Sequence, residues 1–226
     1  MRKNSMYAII TGDIVESSKI AGKEKKKLFK ALQEGFSWIQ TNSPSHDKEQ
    51  NSSFELFRGD SFQGAIPAPL FALPASLAIR SILRKSQPES SSTSWDARIA
   101  IGIGTIEYLP RDVSSGDGEA YRRSGRLLDA MKGEERLLIE TPWPHVNEEL
   151  NTQAALLDAI IAKWSPPQAE TVLKLIEDKS RKTIADEFGI SQAAVHYRVK
   201  GAGWHAIKKF LERYKTLITE NIQSDN

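Results

Sequence analysis

Positions 181–200 read RKTIADEFGISQAAVHYRVK, and this stretch decides the fold of the end of the chain. Ile184 and Phe188 stand one helical turn apart. Gly189 falls where the chain must reverse tightly, a place for the left-handed backbone that glycine adopts without strain. Ser191 is a good N-cap for the helix that follows, in which Val195 and Val199 repeat at four-residue spacing and face back onto the first helix. Ala185 is small, as a close crossing of two helices requires. The spacing predicts a helix-turn-helix. With Ser191 at its head, the second helix presents Gln192, Ala193, His196, Tyr197 and Lys200 outward. Gln and Lys reach base edges or phosphates, and a recognition helix offers its N-terminal residues to the major groove. Ser191, Gln192, His196, Tyr197 and Lys200 are therefore the candidate contacts to double-stranded DNA. The alternative is a hairpin that only packs against the rest of the chain, which would have no need of this polar mix. One recognition helix covers a half-site, so a DNA partner implies a homodimer. His196 and His205, nine residues apart with no acidic or sulfur companions, read as polar helix positions rather than metal ligands.

Around this stretch, Ser165–Lys215 resembles the helix-turn-helix of sigma-factor region 4 and related regulators. Its charge agrees with such a partner. The net charge of +2 arises entirely after Leu150, where Arg198, Lys200, Lys208, Lys209, Arg213 and Lys215 meet only Glu212 as an opposing charge. A basic stripe at one end of a chain suits a phosphate backbone.

Upstream, Thr141-Pro142-Trp143-Pro144 breaks regularity and marks a boundary. The expected division is an α+β domain over 1–145 and a helical domain over 146–226, with its helix-turn-helix core at 165–215. Before the boundary the pattern alternates. Tyr7–Asp13 is a short apolar strand. Lys23–Gln40 carries Leu28, Leu32, Phe36 and Ile39 at helical spacing. Phe54–Phe57 and Phe62–Ile66 flank Arg58-Gly59-Asp60-Ser61 as a hairpin. Leu70–Lys85 is helical, Ala97–Tyr108 is a long strand in which Ile99, Ile101 and Ile103 alternate with small residues, Glu119–Met131 is a helix, and Arg136–Thr141 is a final strand. The order β-α-β-β-α-β-α-β predicts an α+β sandwich of ferredoxin or palm type, followed by an all-α tail.

The composition narrows the class. With 39% hydrophobic and 27% charged residues the chain is globular, and with no cysteine it has neither disulfides nor thiolate zinc sites. No run reaches the length of a membrane span. The N-terminal apolar stretch is too short for a signal peptide, so a cytoplasmic protein with no membrane partner is expected.

Two acids carry the chemistry of the first module. Asp13 and Asp60 each follow a glycine at the end of an apolar strand: Ile10-Thr11-Gly12-Asp13-Ile14-Val15 and Leu56-Phe57-Arg58-Gly59-Asp60. If the two strands are neighbours, both carboxylates leave one edge of the sheet, where they suit Mg²⁺ (or Mn²⁺) and a nucleotide phosphate. Gly12 and Gly59, with the amides of Ile14 and Val15, would let backbone approach the phosphates. Arg58, Arg122, Arg123 and Arg126 offer guanidinium forks of the kind phosphates fit. The plainer reading is that a strand-terminal Gly-Asp is a turn whose Asp accepts local amide bonds.

These residues resemble known families. Asp13-Ile14-Val15, Gly59-Asp60 and the strand Ala97–Gly104 resemble the corresponding motifs of class III nucleotidyl cyclases. Gly118-Glu119-Ala120-Tyr121-Arg122-Arg123-Ser124-Gly125-Arg126 resembles that family's loop and helix. Gly12-Asp13-Ile14, Gly59-Asp60-Ser61-Phe62-Gln63-Gly64 and Asp117-Gly118-Glu119-Ala120 are similar to the SatD family, small bacterial proteins with a cyclase-like domain often followed by a helix-turn-helix. The resemblance implies a nucleotidyl cyclase-like fold, metal on Asp13 and Asp60, and a transition-state role for Arg126, with Arg122 in place of the family's asparagine. Leu56 replaces a base-reading residue, and no triphosphate-binding lysine is matched. Three functions stay open: a DNA-binding regulator whose first module binds a nucleotide, a metal-dependent nucleotidyl cyclase or transferase, and a non-catalytic interaction adaptor.

Overall fold

In β4 (Ala97–Thr105) isoleucines alternate with alanine and glycine, and both faces are covered. Ile99, Ile101 and Ile103 share a core with Ala8, Ile10, Phe62 and Ile66 of the neighbouring strands and with Leu28, Leu32, Phe36 and Ile39 of the first helix. The opposite face must admit a helix at close range, and a side chain on Gly102 would strike backbone atoms of Ala120 and Ser124. The alternation in the sequence thus sets which layer lies on each side of the sheet.

The computed structural model describes residues 6–20, 22–44, 52–57, 59–89, 91, 93–110 and 112–224. Among them the chain forms β1 (Met6–Ile14), α1 (Gly22–Asn42), β2 (Ser53–Phe57), β3 (Ser61–Ile66), α2 (Ala72–Ser86), β4, α3 (Glu119–Ala130) and β5 (Leu137–Glu140). The order is the one the sequence predicts. The sheet runs β2-β3-β1-β4-β5. β1 is antiparallel to β3 and to β4, and β5 joins β4 in parallel. α1 and α2 contribute to the large core on one face. α3 covers the other, where Ala120 and Tyr121 pack with Ile9 and Ala65. β4 stops at Thr105, three residues earlier than expected, and Thr105 pairs with Met6 of β1. Only an isolated bridge from Tyr108 to Asp117 continues beyond it.

Five helices follow: α4 (Pro144–Ile161), α5 (Pro166–Ile176), α6 (Arg181–Phe188), α7 (Gln192–Gly201) and α8 (Trp204–Ser224). The first module is therefore a mixed α+β layer, and every described element from Pro144 on is a helix. α4, α5 and α8 join the large core through Leu150, Leu157, Val172, Phe210 and Leu217, among others. Tyr214 of α8 is fully buried, and its hydroxyl donates to the carbonyl of Pro69 at 2.7 Å. α6 and α7 have a small core of their own, made of Ile184, Ala185, Val195 and Val199. Gly189 closes α6 in the left-handed region at φ 62°, and the Ser191 hydroxyl caps α7 by accepting from the Ala194 amide at 3.1 Å. No described helix is long and apolar enough to cross a membrane.

A buried ion network holds the layers together. Arg80 of α2 donates to Asp96, just before β4, at 2.8 and 3.0 Å, and also to Asp158 of α4. Asp158 in turn accepts the amides of Arg136 and Leu137 at the start of β5, at 2.8 and 3.1 Å. Arg84 adds a second bond to Asp96 at 3.2 Å.

Candidate functional site

Two regions of the surface carry the residues singled out by sequence: one end of the sheet and the outer side of α7.

At the sheet end, β1 and β3 are neighbours, as the site requires. Asp13 lies opposite Ser61 in the ladder, and the Ile14 amide donates to the Asp60 carbonyl at 3.3 Å. Asp13 and Asp60 are thus brought to the same edge. Their carboxylates, however, are already engaged. Arg98 stands directly across from Asp13 on β4, so both side chains leave one face. Its Nε donates to one Asp13 oxygen at 2.8 Å and its Nη2 to the other. The Ser17 hydroxyl donates to Asp60. The hydrogen bond that Arg98 donates to Asp13, aided by the charges of Asp13, Asp60 and Asp129, raises the Arg98 pKa above its ordinary value despite partial desolvation.

The backbone expected to cradle phosphate is occupied as well. Ile14 lies in the core, its amide bonded to Asp60, and the Val15 amide donates to the Asp96 carbonyl at 3.0 Å. Gly12 is glycine because the Phe62 ring and the Arg98 carbonyl fill the space a side chain would take. These three positions serve packing and pairing, which corrects the expectation that they approach a ligand. Gly59 differs: it holds φ 86° with open space around it. Arg58 lies outside the described residues.

The two helix arginines are not gathered at this edge. Arg122 is exposed and bound to Glu107, Asp117 and Glu119 at 2.7–3.2 Å. Those acids lie beyond the Thr105 end of β4, which pairs with Met6. Seven residues of β1 separate Met6 from Asp13, about 23 Å at ~3.3 Å per residue. Arg126 is exposed and bonds Glu140 at 3.3 Å, level with Gly102 and four residues along β4 from Arg98. The guanidinium that stands by Asp13 is Arg98. Sequence reasoning passed over it, although Ala97-Arg98-Ile99-Ala100-Ile101 puts it on the face opposite the isoleucines, at the β4 end that meets the end of β1. Gln63 is buried rather than at a polar edge, and it donates to Thr11, which in turn bonds Ser124.

The sheet-end residues do not fit a divalent metal as they are arranged. Such an ion needs about six oxygen ligands. Both Asp13 oxygens are held by a guanidinium, and no group of three or more His, Asp or Glu side chains converges on a metal-sized centre among the described residues.

The outer side of α7 agrees with the sequence. Ser191, Gln192, Ala193, His196, Tyr197 and Lys200 are all exposed, Tyr197 at 71% despite its size, while Val195 and Val199 are buried. The Tyr197 ring meets the His196 ring edge-on at 5.9 Å. Arg181, at the start of α6, reaches His196 Nδ1 at 3.4 Å. Beside this face runs a groove of about 780 Å³ between α6, α7 and the start of α8. Lys179, Arg181, His196, Lys200, His205 and Lys208 line it, with no acidic side chain among its described lining residues; Lys179 and Lys208 pair with Glu187 and Glu212 at 3.7 and 3.8 Å.

No family profile and no curated protein sequence matches this chain. Among solved structures it is similar to the adenylyl cyclase CyaB from P. aeruginosa, with 14% identity and a TM-score of 0.45 over 60% of this chain and 76% of that one. It is also similar to the guanylyl cyclase Cya2, with 15% identity and a TM-score of 0.42 over 60% of this chain and 75% of that one.

Proposed function

We propose that the protein is a DNA-binding transcriptional regulator that reads duplex DNA with α7. The observation that carries this reading is the union of two features on one surface. α7 offers Gln192, His196, Tyr197 and Lys200 to solvent, and the groove beside it is basic and free of acids. The first suits base edges in a major groove, and the second suits the flanking phosphates. A pair of copies related by a two-fold axis would place two α7 helices on half-sites about 34 Å apart, one turn of DNA.

Fluorescence anisotropy with duplex DNA across a salt series tests the proposal. With about four phosphates neutralised by each protomer, log K per half-site is expected to fall with log salt at a slope of about −3.6. That is a loss of about 150-fold per half-site between 50 and 200 mM salt. Binding that is absent at 50 mM, or indifferent to salt, would remove DNA from the account.

A second reading concerns the sheet end: a nucleotide whose phosphate draws Arg98 away from Asp13. It is favoured by the position of Arg98, whose fork fits phosphate as well as carboxylate. Asp13→Asn leaves the guanidinium without its charged partner. In equilibrium dialysis, metal-free binding of ATP or GTP is expected to tighten in that variant. Binding that requires Mg²⁺ and disappears with Asp13→Asn would instead favour metal-dependent nucleotidyl transfer.

A further inference from the structure

We propose that Arg98 is the resident cation of the sheet-end acid pair, so that a divalent ion takes up Asp13 and Asp60 only when the guanidinium is withdrawn. The ladder fixes this arrangement. Asp13 and Arg98 are direct partners across β1 and β4, so the backbone register itself delivers the positive charge to the carboxylate. The fork engages both Asp13 oxygens, the closest match a side chain offers to a carboxylate. Asp60 is held by the Ser17 hydroxyl and also lies within the electrostatic reach of Arg98, as does Asp129 from α3.

An incoming divalent ion would have to part a formed ion pair and then sit beside a stranded guanidinium. Exclusion here works through charge and not through burial. The Arg98 side chain is 37% exposed and that of Asp13 is 18% exposed, so ions from solvent reach the pair freely. The inference concerns metal alone and holds whether or not a nucleotide visits the site.

Manganese titration of the full-length protein, followed by electron paramagnetic resonance of free Mn²⁺, tests it. Wild type is expected to show no saturable binding that depends on Asp13. Arg98→Met, which keeps the aliphatic stem and removes the charge, is expected to gain one Mn²⁺ site at least tenfold tighter than any wild-type binding. Adding Asp13→Asn to that variant is expected to abolish the site. Circular dichroism confirms folding, and Arg98→Gln replaces the methionine variant if it does not fold. The proposal is overturned by saturable wild-type binding that Asp13→Asn removes, or by a folded Arg98 variant that gains nothing. The wild-type comparison with Asp13→Asn can overturn the proposal even if neither Arg98 variant folds.

Discussion

Replacing Arg80 with methionine is expected to destabilise the protein by about 3–5 kcal/mol, the range for breaking a buried ion pair from one side. Arg80 is 1% exposed and is the common partner of Asp96 and Asp158. Without it, Asp158 keeps only the Arg136 and Leu137 amides, and Asp96 keeps Arg84 and its neighbouring backbone. Two carboxylates would then be buried with one guanidinium between them. A chain of this size loses about 2–4 °C in melting temperature per kcal/mol, so a drop of about 6–20 °C is expected. Calorimetry or urea unfolding measures it. A loss below about 1 kcal/mol would mean that water reaches the acids and that the network contributes little.

The same network gives the pH dependence its sign. Burial alone would raise the Asp96 pKa, but Arg80, Arg84 and the Ala97 amide outweigh it and hold the carboxyl below its ordinary value. A depressed carboxylate contributes stability that is fully present above its unfolded pKa, near 3.8, and is lost as pH falls through the lower folded value. Wild type is therefore expected to lose this contribution only below about pH 4. In Arg80→Met the loss of its main partner favours protonation of the buried Asp96. The gap between variant and wild type should therefore narrow between pH 7 and pH 5.

The second large effect belongs to the basic groove. Reversing Arg181 and Lys200 together to glutamate is expected to weaken duplex binding about 100-fold or more at 0.15 M salt. The salt slope per half-site should become shallower by about two, roughly one for each phosphate that is no longer neutralised. Neither side chain is part of the small α6–α7 core, so the fold should survive, as circular dichroism would verify. The loss should be similar for every DNA sequence, because phosphates carry no sequence information. Gln192→Ala makes the contrast. It should cost about 1–3 kcal/mol on a preferred site and relax the choice of one base pair, with little change in salt slope. A double reversal that leaves affinity within threefold of wild type would move the DNA-binding surface elsewhere or dismiss it.

Much of the architecture was legible because periodicity is a direct record of layering. The isoleucines of β4 announce a strand, and the repeat of Leu28, Leu32, Phe36 and Ile39 announces a helix that packs into the same core. Gly189, Ser191, Val195 and Val199 likewise specify a turn, a cap and a buried face, and each stands where expected. The sheet end was only half legible. Asp13 and Asp60 stand out as strand-end acids, but that they share an edge depends on β1 and β3 being neighbours, which the ladder supplies and strand order alone does not. Their partners could not be inferred either, because a cross-strand pair such as Asp13–Arg98 joins residues 85 apart and depends on register. Arg122 and Arg126 failed for a related reason. Helical spacing gives their direction around α3 but not where α3 lies along the sheet. Gly12 was read as an approach to phosphate, yet a glycine admits a ring as readily as a ligand, and sequence does not tell these apart.

The large core does not stop at Pro144. It runs from the sheet through α2 into α4, α5 and α8, and Tyr214 fastens the last helix to Pro69. α7 is tied to this core at its end, where Ala202 is buried in it and its carbonyl accepts from the Trp164 ring at 2.9 Å, so the surface that carries α7 is bracketed to the core, not hung from a tether. If that surface reads DNA as proposed, paired copies would accept one separation between their half-sites and reject an insertion of a few base pairs, where a flexible linker would forgive it.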